Sequence, residues 1–311
     1  MATILVTGGA GFIGSHVVDA YIQAGHTVYV VDNLSSGLRE NVHPSAHFID
    51  ADITALDWDA LLSEVRPEVI NHHAAQIDVR YSVERPTEDA RVNVLGTLAL
   101  LEAARKHAVT KVIFASSGGA VYGEPTTLPA SEDMPPQPLS PYGMAKYIGE
   151  QYILFYARLY GLRYAVLRYA NVYGPRQRPD GEAGVCSIFA AALLEGRTPV
   201  LYGDGRPVRD YVYVGDVARA NVAALTASEN VLVNIGSGVG TTVYDVFRML
   251  SQLLDVRVEP QLAPLRTGEV FRIFLDCRHA GQKLGWKAEV SLSDGLQKLL
   301  DWMRNGEKRR S

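Results

Sequence analysis

Apolar and polar positions follow the periods of strands and helices from the start of the chain. The run Thr3–Thr7 is apolar and β-branched, and it leads through glycines into an apolar helical stretch. Similar short runs predict further strands at 26–31, 46–50, 67–73, 111–115 and 164–168. Helical patterns predict helices at 55–65, 86–107, from Pro141 onwards, at 185–195 and at 292–303. Because strands alternate with helices, the pattern predicts an α/β protein with a parallel sheet.

The pattern becomes less regular after residue 170, which indicates a second lobe. With 311 residues, of which 47% are hydrophobic, the chain can bury a core in each of two lobes. We predict a first lobe of residues 1–170 plus 211–236. The remaining residues, 171–210 plus 237–311, would form a smaller α/β lobe.

Three glycines follow the first strand at the spacing of a dinucleotide-binding loop. Gly8 permits a tight turn, Gly11 permits close approach of a pyrophosphate, and Gly14 permits close helix–strand contact. A plain structural loop is the alternative for glycines alone. Asp32 ends the second strand at the place where a carboxylate accepts from ribose hydroxyls, which favours a nucleotide and a Rossmann-type doubly wound sheet. No lysine or arginine precedes Arg39, so NAD is favoured over NADP.

Other candidate cofactor residues lie at the same edge of the predicted sheet. Asp52 can accept from an adenine amino group with Ile53 against the ring, although a solvated turn acid is an equal alternative. Asn93 lies on an apolar helix and needs a partner, either structural or the cofactor. The fourth strand leads into Ala74, Ala75 and Gln76, and the two alanines are small enough to permit close approach of a ligand to the backbone.

Acid–base chemistry is indicated on the helix that Ser140 can cap. Tyr142 and Lys146 stand four residues apart and therefore on one face, so the ammonium favours the ionised phenol. Lowering a tyrosine pKa by ~3 units toward neutrality takes about 4 kcal/mol, which a lysine plus a positive nicotinamide ring could supply. Without the nucleotide motifs, such a pair is usually made of ordinary surface and core residues.

Charge and cysteine content exclude several functions. The net charge of −4 gives no general attraction to nucleic acid or to an anionic membrane. Cys186 and Cys277 lie far apart, which fits a reducing compartment and provides no metal spacing. His72 and His73 are adjacent on a strand and point to opposite faces, so one metal cannot bind both. The first eighteen residues carry no Lys, Arg, Asp or Glu but lack a basic n-region, so we expect a cytoplasmic enzyme without a targeting segment.

Taken together, the motifs of nearly the whole chain resemble one family. They are the glycines of 7–14, Asp32-Asn33-Leu34, Asp52-Ile53, Ser116-Ser117 with Val121-Tyr122-Gly123, Tyr142 with Lys146, and the segment 168–174. This set resembles the extended short-chain dehydrogenase/reductases that act on nucleotide sugars.

The resemblance implies an NAD site and a site for a UDP-sugar. The residues that it assigns to NAD are Gly8, Gly11, Phe12, Ile13, Gly14, Asp32, Asn33, Ser36, Gly37, Asp52, Ile53, Ala74, Ala75, Gln76, Asn93, Ser116, Tyr142, Lys146 and Tyr169. Toward the diphosphate it assigns Asn171, the Val185 main chain, Arg209 and Arg266, and beside the uracil Val200 and Tyr202. The permanently charged forks of the two arginines suit a diphosphate.

Within this family the chain resembles the 4-epimerases of UDP-hexoses. Tyr142 would take the proton of the 4-hydroxyl while C4 passes a hydride to NAD, which leaves a transient 4-keto sugar. The acidic pair of the 4,6-dehydratases is absent, since those positions are Gly119 and Ala120. Another UDP-sugar epimerase or decarboxylase, for N-acetylhexosamine or glucuronate, is the nearer alternative, and a nonenzymatic NAD-binding regulator is the distant one. The resemblance also implies a homodimer built on the helices of Asn93 and Tyr142.

Two positions depart from or refine that pattern. The position at which the family holds a catalytic serine or threonine is Gly118, which has no hydroxyl. Ser117 is the candidate replacement, whereas Ser116 would lie closer to the cofactor; alternatively Tyr142 contacts the 4-hydroxyl directly, with an ordered water beside it. The resemblance places Ile273 where side-chain bulk controls acceptance of 2-N-acetyl sugars.

Overall fold

A computed structural model describes residues 1–180, 184–265 and 270–310, with side chains to residue 305. Its strands are β1 (Thr3–Thr7), β2 (Thr27–Asp32), β3 (His47–Asp50), β4 (Val69–His72), β5 (Lys111–Ser117), β6 (Arg163–Tyr169), β7 (Asn171–Tyr173), β8 (Val200–Tyr202), β9 (Val208–Tyr213), β10 (Val231–Ile235), β11 (Gly240–Thr242) and β12 (Gln261–Ala263). Its α-helices are α1 (Phe12–Gln23), α2 (Trp58–Val65), α3 (Val79–Glu84), α4 (Pro86–Ala90), α5 (Thr97–Lys106), α6 (Gly118–Val121), α7 (Pro141–Tyr160), α8 (Val185–Leu194), α9 (Val214–Thr226), α10 (Val243–Leu254), α11 (Arg278–Leu284) and α12 (Leu292–Arg310). None of the described helices is both long and apolar enough to pass through a membrane.

The large sheet is parallel and doubly wound, as the sequence predicts. Its strand order is β10-β6-β5-β4-β1-β2-β3. The chain winds outward in one direction from β1 through β2 to β3 and in the other direction from β4 onwards. The order therefore reverses between β1 and β4, and the carboxyl ends of those strands form the crevice in which such sheets bind ligands.

Helices cover both faces of this sheet, and alternate side chains of each strand point to opposite faces. In β1, Ile4 and Val6 pack into the cluster that includes α1 and α9, whereas Leu5 packs into the cluster of α2, α5 and α7. All three side chains are fully buried. The near-continuous apolar runs of the strands follow from this two-sided burial.

Two helix predictions need correction. The helix predicted from Ala55 begins at Trp58, because Asp57 rather than Thr54 caps it by accepting from the backbone N–H of Ala60 at 3.0 Å. The helix predicted over 86–107 is continuous, but residues 91–96 form a π-helical turn between α4 and α5. That turn carries Asn93, and π turns are frequent at functional sites.

A second layer is built from the irregular half of the chain. The strands β11-β9-β7 form one small sheet and β12-β8 another, and α8, α10 and α12 contribute to a separate apolar cluster beside them. The predicted return of 211–236 to the first lobe fits α9 and β10, although β9, including Tyr211, pairs within the small sheet. Trp286 also packs into the core of the large sheet. The lobe division stays a proposal. Of the second half of the chain, residues 214–235 and 278–286 pack with the large sheet.

Candidate active site

The glycine loop after β1 forms a tight cradle at the crevice. Gly8 has φ of 71°, and a Cβ there would lie 2.6 Å from the backbone N of Ala74. A Cβ on Gly14 would overlap the carbonyl oxygen of Gly8, and one on Gly11 would lie 3.2 Å from it. The N-cap of α1 is Gly11, which has no side chain to accept from the first backbone N–H groups of the helix. These N–H groups, of Phe12, Ile13 and Gly14, can therefore donate to an anion. The cradle fits the diphosphate of a dinucleotide.

Asp32 organises the rim of this cradle. Its carboxylate is 8% exposed and accepts from the N–H of Ala10 at 3.0 Å and from the N–H of Leu34 at 2.8 Å. A Cβ on Gly37 would lie 3.0 Å from the same carboxylate, and the neighbouring Ser36 is exposed. Each carboxylate oxygen keeps further lone-pair capacity, so the predicted ribose contact is chemically open to Asp32 and stays a prediction.

Asn33 and Asp52 meet across the ends of β2 and β3. The Asn33 amide donates to Asp52 Oδ2 at 3.0 Å, while Thr54 donates to Oδ1 from its backbone and its hydroxyl. These hydrogen bonds from Thr54 lower the pKa of Asp52, so it is ionised at neutral pH. Asp52 is therefore a fixed turn acid, and Ile53 beside it is buried. Their predicted contacts with adenine stay predictions.

A buried hydrogen-bonded chain links β1, β4 and α5. The Thr97 hydroxyl donates its only proton to the carbonyl of Asn93 at 2.7 Å. Thr97 must therefore accept from His72 Nε2, at 3.0 Å, and the other ring nitrogen, Nδ1, accepts from Thr7 at 2.6 Å. The Thr7 oxygen in turn accepts from the backbone N–H of Ala74 at 3.2 Å. Burial lowers the pKa of His72 to about 3, which keeps the ring neutral. The sequence identifies His72 only as a packing residue, because it does not show that these partners converge.

The turn at 74–76 is hydrogen-bonded to side chains of α4 and of the π-helical turn. Asn93 Oδ1 accepts from the backbone N–H of Gln76 at 2.8 Å, and its Nδ2 donates to the carbonyl of Gln76 and to Asp89. The Gln76 side chain also donates to Asp89, at 2.9 Å. Of the two alternatives for Asn93, the structure supplies the structural partner. Contacts of Asn93, Gln76 and Ala75 with NAD stay predictions.

Tyr142 and Lys146 lie in the first turns of α7, which Ser140 caps as predicted. The Lys146 ammonium is 5.8 Å from the Tyr142 ring centroid and donates to the carbonyl of Ala115 at 2.9 Å. Burial lowers the pKa of Lys146 to about 8.

The electrostatics of Tyr142 differ from the expectation. Burial raises its pKa, and the negative charge of Asp89 raises it further. The lowering expected from Lys146 does not prevail in the protein alone, because desolvation of the phenolate outweighs a lysine whose ammonium lies beside a backbone carbonyl.

Ser116 belongs to a buried network beneath the site. Its hydroxyl donates to Glu150 at 2.5 Å, and Glu150 forms an ion pair of 2.6 Å with Arg168. Arg168 also donates to the hydroxyl of Tyr122 at 2.8 Å. The Ser116 hydroxyl is thus committed to Glu150, and its predicted proximity to the cofactor stays a prediction.

Ser117 ends β5 beside the position that lacks the family hydroxyl. Its side chain is partly exposed and has no hydrogen-bond partner among the residues that the structure describes. A Cβ on Gly118 would lie 2.7 Å from Cδ1 and 2.9 Å from Cδ2 of Leu275, so that leucine fills the space of a side chain. A Cβ on Gly119 would lie 3.9 Å from the Asn171 amide oxygen. Asn171 therefore lies close to the Ser117 segment, and its contact with the substrate stays a prediction.

Tyr169 lies deeper in the sheet. Its hydroxyl accepts from the Asn221 amide at 2.8 Å and lies 3.2 Å from His73 Nε2, and its ring stacks on His73. Burial raises its pKa, so the phenol is neutral. Its assignment to the cofactor stays a prediction.

The predicted substrate residues of the second lobe lie in the small sheets and at the start of α8. Arg209 lies in β9 and donates to the carbonyls of Val208 and Phe271 at 3.0 and 3.3 Å. Val185 opens α8, and both uracil candidates, Val200 and Tyr202, lie in β8. Arg266 lies outside the described residues. The roles of all these residues toward a nucleotide stay predictions.

Metal ligation has no structural support in the described part of the chain. No group of three or more His, Cys, Asp or Glu side chains there is placed to hold a metal ion. His72 and His73 point to different partners, as the strand periodicity predicts.

Comparison with known proteins agrees with the fold and the motifs. Residues 4–236 match the model of the NAD dependent epimerase/dehydratase family. The chain is 47% identical over 307 residues to the UDP-glucose 4-epimerase of Mycolicibacterium smegmatis, covering 97% of this chain and 98% of the relative. A crystal structure of the Thermotoga maritima UDP-glucose 4-epimerase with UDP-glucose superposes with a TM-score of 0.96 at 50% identity, covering 98% of this chain and 99% of that one. The Thermus thermophilus UDP-glucose 4-epimerase in complex with NAD gives 0.92 at 43% identity, covering 97% and 99%. The chain belongs to the NAD-dependent epimerase/dehydratase family.

Proposed function

We propose that the protein is an isomerase that inverts C4 of a UDP-hexose, interconverting UDP-glucose and UDP-galactose with NAD. One observation carries the proposal: the Tyr142–Lys146 pair and the glycine cradle lie at the same edge of the sheet. Tyr142 and Lys146 share one face of α7, and Lys146 donates to a backbone carbonyl of β5, whose carboxyl end lies at the edge that holds the cradle of 8–14. The family and the named relatives supply the substrate class and the cofactor.

The chain's own residues account for binding and proton transfer. The cradle of Gly8, Gly11 and Gly14 and the α1 amides would hold the diphosphate of NAD, and Asp32 its ribose. When bound, NAD supplies a hydride acceptor and donor for C4. Tyr142 removes the proton of the sugar 4-hydroxyl and returns it after inversion.

Lys146 assists this proton transfer through charge and position. Its ammonium lies near the Tyr142 ring and would also hold the nicotinamide ribose. Because burial and Asp89 both raise the pKa of Tyr142, the phenol stays protonated until a further cation reaches the site. Tyr142 would therefore form the phenolate that acts as the base only in the protein that has bound NAD.

The substrate lobe would bind the UDP group. Arg209 provides a permanent cation for the diphosphate, and Asn171 lies within reach of the Gly119 backbone. We assign uracil contacts to Val200 and Tyr202. Arg266 completes the proposed set from the family resemblance.

Conversion of UDP-galactose to UDP-glucose by the purified protein tests the proposal. No NAD is added, and a denatured extract is analysed for NAD(H), which we expect to copurify. UDP-N-acetylglucosamine and UDP-glucuronate run in parallel test the alternative substrates. If folded, NAD-containing protein converts none of them, the proposal fails and the nonenzymatic regulator is favoured.

We also propose that the protein is a cytoplasmic homodimer. The two cysteines are unpaired, which suits a reducing compartment. Met144, Phe155 and Leu159 form one exposed apolar stripe on α7, and Leu95 on the adjacent π turn is 60% exposed. Burying these side chains against a second copy would complete a four-helix bundle. Sedimentation of the parent and of Leu159→Glu tests this, with a dimer expected for the parent and a monomer for the variant.

A further inference from the structure

Asp89 is a buried acid that gives or takes no proton in the proposed reaction. It lies in α4, which packs against α7, and it is 1% exposed. One carboxylate oxygen, Oδ1, accepts from the side-chain amides of Gln76 and Asn93, both at 2.9 Å. The other oxygen, Oδ2, has no hydrogen-bond partner among the described residues. Burial raises the pKa of Asp89, whereas the amides of Gln76 and Asn93 and the Lys146 ammonium favour its carboxylate form.

Because α4 packs against α7, the negative charge of Asp89 acts on both groups of the proton-transfer pair. It opposes ionisation of Tyr142 and favours the protonated form of Lys146. Glu150 also acts on Lys146, but its charge is balanced by the ion pair with Arg168. No such cation pairs with Asp89 in the part of the chain that the structure describes.

The other titratable groups packed around the pair do not provide this charge. His72 and His73 lie on β4 and its end, and both interact with Lys146. Burial lowers the pKa of each ring to about 3, so both are neutral when the enzyme works near neutral pH. Among the described residues, Asp89 is thus the anion without an ion-pair partner that acts on Tyr142 and Lys146.

We propose that Asp89 is a positioning residue with two linked roles. Its carboxylate fixes the turn 74–76 beside the cofactor cradle through Gln76 and Asn93, and its negative charge sets the protonation balance of the Tyr142–Lys146 pair. The inference rests on the proposed epimerase function for its kinetic readout only.

Asp89→Asn tests the charge because it keeps the shape and an acceptor oxygen. Removing the charge lowers the pKa of Tyr142 and that of Lys146 together. We therefore expect both the acidic and the alkaline limb of the kcat/KM profile to move to lower pH, by roughly half a unit or more. Loss of packing alone would change the height of the profile and leave its limbs in place.

Glu88→Gln is the matched control. Glu88 neighbours Asp89 in α4 and loses the same charge, but it is half-exposed and paired with Arg91 at 3.0 Å. We expect the control to keep the limbs of the parent. If Asp89→Asn does not fold, Asp89→Ser removes the same charge and leaves a hydroxyl and room for water.

A second readout does not depend on epimerisation. Tyrosinate absorbance of the NAD-loaded protein is titrated, and the signal of Tyr142 is obtained by subtracting the same titration of Tyr142→Phe. The Tyr142 titration should move to lower pH in the Asp89 variant and not in Glu88→Gln. An unmoved titration overturns the inference, whereas a parent without epimerase activity overturns the proposed function and leaves this titration decisive.

Discussion

Replacing Ser117 by alanine tests which hydroxyl serves the missing position at Gly118. Ser117 Oγ has no partner in the described structure and lies beside the segment that Asn171 approaches. General acid–base groups contribute roughly 10²–10⁴-fold, so we expect Ser117→Ala to lower kcat by tenfold or more at unchanged NAD content. Initial rates on UDP-galactose and the NAD content of extracts provide the measurement.

A serine at position 118 could restore the missing hydroxyl, but the parent protein has no room for its side chain. A Cβ there would lie 2.7 and 2.9 Å from the methyl groups of Leu275, which is 1% exposed and packs against Tyr122 and Ile273. Gly118→Ser alone should therefore cost about 1–3 kcal/mol of unfolding free energy through overpacking. Combining it with Leu275→Ala removes the clash, although the cavity of Leu275→Ala alone costs about 2–5 kcal/mol.

The decisive comparison is made in the Ser117→Ala background. We expect the combination of Gly118→Ser with Leu275→Ala to recover part of kcat, and Leu275→Ala alone to recover none. If Ser117→Ala is as active as the parent, the reasoning is refuted and Tyr142 contacts the sugar hydroxyl directly.

Three further variants test separate parts of the structure. Tyr142→Phe should reduce kcat by roughly 10²–10⁴-fold without unfolding the protein, and Tyr160→Phe, on the exposed end of the same helix, should not; a loss below tenfold would contradict the role. Glu150→Gln should lower the free energy of unfolding in urea by about 3–5 kcal/mol, because Arg168 is then buried without its anion; an unchanged midpoint would contradict this. Ile273→Tyr should abolish activity on UDP-N-acetylglucosamine while sparing UDP-glucose, and a parent that already rejects the N-acetyl sugar would refute it.

The sequence predicts the fold and the main cofactor motifs because these depend on local patterns. The buried strands read as continuous apolar runs. The glycines at 8 and 14 lie where the backbone leaves no space for a Cβ, and a Cβ on Gly11 would be tight against the Gly8 carbonyl. The sequence predicts a helix start at Ala55, three residues before the observed start at Trp58, because Thr54 and Asp57 are both good caps in sequence. Only the competing hydrogen bond of Thr54 to Asp52 separates them.

The electrostatics of the site depend on distant contacts that the sequence does not display. Asp89 is in sequence one of several acids in a helical stretch, and only the fold shows that it is buried and accepts from Gln76. Spacing alone also suggested that Lys146 lowers the pKa of Tyr142. In the structure, burial and the charge of Asp89 raise that pKa instead. Likewise, the space at Gly118 is filled by Leu275, which lies far along the chain.

The most direct test of the account is the fate of the C4 hydrogen during catalysis. The protein, purified without added NAD, is incubated with UDP-galactose in D₂O, and the UDP-glucose formed is examined by mass spectrometry and NMR. Because the hydride is removed and returned within the site, we predict conversion with no deuterium at C4. Deuterium at C4 of the product would contradict the account, as it would show that a proton from solvent, and not the original hydride, is added to that carbon.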